Sequence, residues 1–272
     1  MAGGFGILVE AMGYATLFLA LGIVITLCGI GGIFFIRDSE KLKKSGTLKD
    51  IFYGFKPSVV KNNLPLYITL LIVMLYGIAC QTFMPYLIIY MKTYLGFSVV
   101  EYSVVFGACI IIGAIINLYL TRLSDRRDKG SMLYIAAGIL SLGLLGMFIF
   151  SSGNKTALLI TFGLSGFVMI TGYILVSALC GSMVRDYTPE GAVGKLQGVR
   201  MVFSVLIPMV IGPMIGNAIN KAKNIPLPDL GSADTMTTQY IPAPQIFLMA
   251  SVISLLMIAL IPVLRKVRKN EA

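Results

Sequence analysis

The sequence predicts an all-α membrane protein that crosses the bilayer seven times, and three observations carry that prediction. Of its 272 residues, 57% are hydrophobic and only 12% charged, with a mean hydropathy of +0.88. That lies far above ordinary apolar usage and far below the charge content of a soluble domain. Seven charge-free runs are each long enough to cross the hydrocarbon core, which takes about 20 apolar residues as a helix. The basic residues, finally, gather in alternate loops between those runs.

The first run is Ala11–Ile36, ending at Arg37-Asp38. A shorter apolar stretch before it, Gly3–Val9, is set off by Glu10 and reads as the stump of an earlier helix. The second run is Leu64–Met91, between Lys61 and Lys92, and the third Tyr102–Thr121. Ser131–Ser151, Thr156–Val184, Met201–Asn220 and Ala243–Leu264 follow. Counted over alternate loops, 18 of the 22 Lys and Arg fall on one side and only Lys92, Lys155, Lys221 and Lys223 on the other. Cytoplasmic loops carry the Lys/Arg excess. The expectation is a multi-pass plasma-membrane protein with its N-terminus outside and its C-terminus in the cytoplasm. The net charge of +10 then belongs to a membrane surface, not to a nucleic-acid interface.

Two cytoplasmic segments have internal order. In Arg37–Asn63, Thr47-Leu48-Lys49-Asp50 has the form of a capping box with Asp in place of Glu. Leu48, Ile51, Phe52 and Phe55 follow at helical spacing, which predicts a short amphipathic helix on the membrane surface; the alternative is an unstructured basic linker. The other segment is a turn between the third and fourth spans, where six of the eight residues from Arg122 to Lys129 are charged. On the outer side, Lys221–Pro242 is a Pro-, Asp- and Thr-containing loop of zero net charge.

Composition also excludes functions. With no His there is no HExxH metal site, no His-ligated haem and no Ser-His-Asp hydrolysis, so neither an enzyme nor a cofactor is expected. Cys28, Cys80, Cys109 and Cys180 each lie inside an apolar run without CxxC spacing and read as small core residues, not as disulfides or metal ligands. No basic segment follows Met1, which argues against a cleaved signal peptide. No span carries a charge at its middle, so an intramembrane proton relay is not expected within this chain. The seventh span has no Lys, which excludes a retinal protein.

Polar residues at membrane depth are the candidates for a solute path. Tyr76, Gln81 and Tyr86 lie in the second span, Asn117 in the third, Tyr173 and Ser177 in the fifth. A buried amide without a partner is costly, so Gln81 and Asn117 should face protein or water. Gly113 and Ala114 sit one turn before Asn117, so an interhelical hydrogen bond stands beside a ligand contact as its reading. Gln81 lies one turn before Pro85, which softens the helix there. For Tyr76 and Tyr173, packing or interfacial anchoring is the alternative. In the sixth span Ser204, Pro208, Gly212 and Gly216 recur every fourth residue and predict close helix packing.

The charged turn, Thr121-Arg122-Leu123-Ser124-Asp125-Arg126-Arg127-Asp128-Lys129-Gly130, resembles the major facilitator superfamily signature G-x-L-a-D-r-x-G-r-[kr]. Leu123, Ser124, Asp125 and Arg126 match, Lys129 supplies the following base, and Thr121 and Asp128 stand where the signature has Gly. In that superfamily the turn joins the second and third helices of each six-helix half, and a long cytoplasmic loop joins the halves. Arg185-Asp186-Tyr187-Thr188-Pro189-Glu190-Gly191 with Gly194 and Gly198 is similar to the acidic, glycine-containing loop between the fourth and fifth helices of a half.

The resemblance implies a domain order: residues 1–36 as the last helix of an N-terminal half with the stump of the one before, 37–63 as the inter-half linker, 64–264 as the six-helix C-terminal half of a major-facilitator fold, and 265–272 as a cytoplasmic tail. It implies a secondary transporter of a small solute, working by rocking of two halves about a central site, with the N-terminal half missing or supplied by a second chain. Lys61-Asn62-Asn63-Leu64-Pro65-Leu66, Tyr86 with Tyr90-Met91-Lys92 and Tyr94-Leu95-Gly96, and Asp186-Tyr187 with Glu190 and Gly194 look like the glycoside–pentoside–hexuronide cation-symporter branch, which would imply a sugar-like solute coupled to Na⁺ or H⁺. The sixth span lacks the lysine of that branch's penultimate helix. By the same resemblance Asp125, Arg126, Arg127, Asp186 and Glu190 form a cytoplasmic gate, with Asp125 capping the next helix and Arg126 or Arg127 reaching Asp186 or Glu190. The rival reading is a self-standing seven-helix receptor or assembly subunit without transport activity.

Overall fold

The computed structural model describes residues 13–35, 53–125, 127–189, 191–223 and 240–271, with the backbone alone at Tyr14, Asp125 and residues 268–271. Among the described residues all the extended regular elements are helical, and seven stretches are long and apolar enough to cross a membrane. The chain divides into two units, Met1–Lys49 and Asp50–Ala272. In the first, α1 (Tyr14–Phe35) carries no charge and is apolar on every side, as a helix surrounded by lipid or protein must be. The stretch Gly3–Val9 and the capping box at Thr47 lie outside the described residues.

In the second unit α2 (Pro57–Asn62) and α3 (Leu64–Ile89) both start with Pro in the first turn, where its missing N–H costs nothing. A π-helical turn, Tyr90–Tyr94, extends α3 and closes on Gly96, whose φ of 69° lets the chain reverse. Then come α4 (Val99–Asp125), α5 (Lys129–Ile149) and α6 (Lys155–Tyr187). α7 (Val193–Met201), a second π turn (Val202–Leu206) and α8 (Ile207–Lys223) form one continuous rod, and α9 (Gln245–Glu271) ends the chain. The second π turn falls where Pro208 cannot donate to the Ser204 carbonyl four residues back.

Helix ends differ from the charge-free runs in a consistent way: the helices continue into the charged flanks. Backbone hydrogen bonding does not stop where hydropathy does. The sixth span begins at Val193, because Lys195 and Arg200 interrupt the apolar run but not the helix. Leu196 and Val199 of α7 are buried against Val59, Leu66 and Leu70. The segment before α2 thus has a protein partner: Gly54 lies against Val199, the Tyr67 hydroxyl donates to the Gly54 carbonyl, and the Lys195 ammonium sits 5.4 Å from the Tyr53 ring centre. Phe55, placed on the apolar face of the expected amphipathic helix, is exposed; Leu48, Ile51 and Phe52 lie outside the described residues.

The six long helices of this unit form two layers. α6 packs on α3, α4 and α5, while α9 packs on α3 and α5, and α8 packs on α3. One row therefore runs α4, α6, α3, α8, with α5 and α9 behind its middle. The core between the layers holds Ile72, Phe83, Leu140, Leu144, Met169, Phe247 and Met257. In lipid the pull between helices comes from close packing and interhelical hydrogen bonds, since the surroundings are as apolar as the side chains. Both are present. Gly143 and Gly172 let α5 and α6 touch backbone to backbone: a Cβ on Gly143 would lie 2.3 Å from the Met169 nitrogen, and one on Gly172 2.4 Å from the Leu140 nitrogen. Between α5 and α9, buried Ser141 and Ser254 share a 2.5 Å hydroxyl contact, and the Ser251 hydroxyl donates to the Ser141 carbonyl at 3.1 Å.

Candidate functional site

The polar residues at depth occupy the three seams of the α4–α6–α3–α8 row. At the α3–α6 seam, the Tyr76 hydroxyl donates to the Tyr173 carbonyl at 3.0 Å, and the two rings lie 5.7 Å apart, tilted by 38°. Ser177, one turn on from Tyr173, is exposed, and Cys80 and Cys180 are buried close by. At the α4–α6 seam, Asn117 is 4% exposed and its amide donates to the carbonyls of Gly113 at 2.9 Å and Thr171 at 3.2 Å. The second of these is an interhelical hydrogen bond. Its Oδ1 is buried without a partner among the described residues.

At the α3–α8 seam, Gln81 lies against Gly212, where an added Cβ would come within 2.4 Å of the Gln81 Cβ. The small-residue stripe meets α3 in register: Pro208 faces Gly77, Gly212 faces Gln81, and Gly216 faces Tyr86. The Tyr86 hydroxyl donates to the Pro213 carbonyl at 2.9 Å. So the structure joins Tyr76 with Tyr173 directly, while Gln81 of α3 faces α8 and Asn117 of α4 reaches the other flank of α6. Thr171 and Tyr173 sit two residues apart, on opposite flanks of α6, which is why Asn117 and Tyr76 reach it from different sides.

At the basic end of the bundle the charged turn ties three helices. Asp128 caps α5, accepting from the Ser131 amide at 3.0 Å, and also pairs with Arg265 of α9 at 3.0 Å. Arg265 donates to the Ser131 hydroxyl and lies 5.3 Å from the Tyr134 ring centre. Lys129 pairs with Asp186 of α6 at 2.5 Å and donates to Ser182 at 2.6 Å. One expectation is revised here. The cap on the next helix comes from Asp128, three residues beyond Asp125, because α4 runs through Asp125 before the chain turns. Of the expected contacts between Arg126 or Arg127 and Asp186 or Glu190, only Arg127 and Asp186 are described: Asp186 is met by Lys129, and Arg127 is exposed and makes no ion pair among the described residues. The Asp125 side chain, Arg126 and Glu190 lie outside the described residues.

At the opposite end Ser98 and Glu101 form a capping box that the sequence reading did not single out. Glu101 accepts from the Ser98 amide at 2.7 Å, its own amide donates to the Ser98 hydroxyl at 3.3 Å, and its carboxylate pairs with Lys155 at 3.0 Å. The Ser-x-x-Glu spacing was there to find. Arg265 stands in the sequence only as one of the charges that set topology, and Lys129 only as the base of the turn signature, so neither pairing could be read from it. Among the described residues no group of three or more His, Cys, Asp or Glu comes together to hold a metal.

A bundle of membrane-length helices, joined by tight charged turns and carrying hydroxyl, amide and aromatic groups at its seams, has the anatomy of a polytopic solute-transport protein. Comparison with families makes this specific: the Major Facilitator Superfamily model matches residues 2–213, most of the chain. The chain belongs to that superfamily and is a membrane transporter of the major facilitator type. Comparison with curated proteins gave no match, and comparison with solved structures gave none.

Proposed function

We propose that α3–α9 act as the C-terminal half of a secondary transporter and that a second six-helix half faces the α4–α6–α3–α8 row. Residues 1–36 then form the last helix of the other half, 37–63 the linker, 64–264 the C-terminal half and 265–272 the tail. The observation that carries this reading is the row itself: each of its three seams holds one of the polar groups Asn117, Tyr76 with Tyr173, and Gln81. In a rocking mechanism the solute site lies at mid-membrane between halves, where hydroxyl, amide and aromatic groups bind a polar solute without fixed charge. That chemistry suits a sugar or glycoside, with Na⁺ or H⁺ coupling supplied by groups on the other half.

The basic end is cytoplasmic in this reading, with the N-terminus outside and the protein in the plasma membrane. Asp125, Arg126, Arg127, Asp186 and Glu190, with Lys129, form the gate that loosens when the transporter opens inward. Uptake of labelled sugars into vesicles, with and without a Na⁺ or pH gradient, tests the proposal. Negligible transport by this chain alone, and gradient-driven uptake once a complementary half is co-expressed, is the expected pattern. Robust uptake by verified monomers of this chain would refute the need for a second half. Alanine at Tyr76, Gln81 and Tyr173 together should abolish measurable solute affinity in the complemented protein; unchanged affinity sinks the path assignment. Asp125→Asn that leaves transport and the inward–outward balance unchanged sinks the gate.

A further inference from the structure

A crevice of about 270 Å³ opens at the basic end of the α4–α6 seam, one turn beyond the Asn117–Thr171 contact. Its polar lining is Thr121 and Ser124 from α4, Lys129 from the start of α5, and Ser182 and Arg185 from α6; the rest is leucine and alanine of α6. Among the described residues no carboxylate lines it. Two bases therefore face this space, and Asp186, which is not among its described lining residues, pairs with Lys129.

The hydroxyls are the second observation. Several Ser and Thr in these helices turn back on their own backbone: Thr69, Thr82, Thr161, Ser165 and Thr171 each donate to the carbonyl four residues earlier at 2.8–2.9 Å. Ser124 is 3% exposed as a residue, and its hydroxyl makes no hydrogen bond to the described residues; Thr121 is exposed and its hydroxyl makes none either. A hydroxyl that lines a crevice and has no protein partner is free to donate to what enters it. Ser182 accepts from the Lys129 ammonium at 2.6 Å, which leaves its own proton to donate. The crevice thus offers one ammonium, one guanidinium fork and three hydroxyl protons. Those are the donors that hold a tetrahedral oxyanion.

We propose that this crevice binds a phosphate group, either as free inorganic phosphate or as the phosphate of a membrane lipid. The bound anion takes the Lys129 ammonium from Asp186, so occupancy and the Lys129–Asp186 pair oppose each other. This goes beyond the transport reading and does not rest on it. Binding of two probes to the purified full chain in detergent tests it: inorganic phosphate by calorimetry, and dioctanoyl phosphatidic acid by native mass spectrometry. One saturable site for at least one probe is expected, and the probe that binds identifies the source. A charge-assisted hydrogen bond in a half-exposed place is worth about tenfold in affinity. Lys129→Met and Arg185→Gln should therefore each weaken binding about tenfold, and Ser124→Ala, which keeps the fold's charges, by several-fold. Asp186→Asn should tighten it by a few-fold, and Lys223→Met, at the far end of α8, should leave it unchanged. An absence of saturable binding of both probes overturns the proposal. So does an equal loss in Lys223→Met, or wild-type affinity in Lys129→Met, Arg185→Gln and Ser124→Ala.

Discussion

Replacing Gly172 by alanine puts the close approach of α5 and α6 to the test. The new methyl group would stand 2.4 Å from the Leu140 nitrogen, 2.6 Å from its Cα and 3.0 Å from the Ile139 carbonyl carbon. Ordinary contact begins near 3.4 Å, so the helices must part by roughly 1 Å at this level. Backbone cannot rotate out of the way as a side chain can. A gap of that size forfeits a quarter to a half of the dispersion energy of each contact it opens. The contacts at risk include Leu140, Leu144 and Met147 of α5 and Met169 and Val176 of α6, all without measurable exposure. Overpacked cores lose about 1–3 kcal/mol, and a clash on backbone belongs at the upper end. About 3 kcal/mol lowers the folded-to-unfolded ratio more than a hundredfold. The buried cysteines Cys80, Cys109 and Cys180 provide the assay, because a thiol-reactive dye reaches them only on unfolding; Cys28, exposed, is blocked beforehand. Gly172→Ala should label at a clearly lower temperature than the parent. Gly181→Ala on the same helix, where a Cβ meets nothing within 4 Å, should label at the same temperature or slightly higher. If the two variants melt alike, the argument from backbone contact is wrong.

The α3–α8 seam responds in the same way: Gly212→Val should lower the labelling temperature and displace Gln81, because its Cβ would also lie 2.8 Å from the Gln81 carbonyl carbon. Asp128→Ala removes both the α5 cap and the link to Arg265, and should cost about 1 kcal/mol for the cap with little more for the half-exposed ion pair, read from the same melts in low and high salt. Equal salt dependence in parent and variant would show that the Arg265 pair contributes nothing.

The spans and their order were legible in the sequence because insulation from water is a property of composition over about 20 residues, and each run declares it locally. What the runs could not declare was which helix meets which. Gly143 and Gly172 fall in different spans, and nothing in either segment says that they face each other. Pro208, Gly212 and Gly216 announced a packing face by their spacing but not its partner on α3. The charged turn was readable as a turn, whereas its wiring was not: Asp128 and Asp125 have the same chemistry, and only the point where α4 stops decides which one caps α5. Tyr76, Gln81, Asn117 and Tyr173 could be picked out as polar groups at depth, but their distribution over three seams depends on the helix order in the row.

Asp128 and Lys129, adjacent in the chain and opposite in charge, grip α9 and α6 respectively through Arg265 and Asp186. These side chains are 31–48% exposed, so ions in the surrounding water screen both grips, with a Debye length near 8 Å at physiological strength. The glycine contacts at mid-height, by contrast, feel no salt at all. The bundle therefore has a graded stiffness along its axis: a middle fixed by steric contact, and an end whose tightness follows the ionic strength of the solution it touches. Mechanical strain applied to the last helix would be passed on to α6 at the wet end first, and more weakly as salt rises.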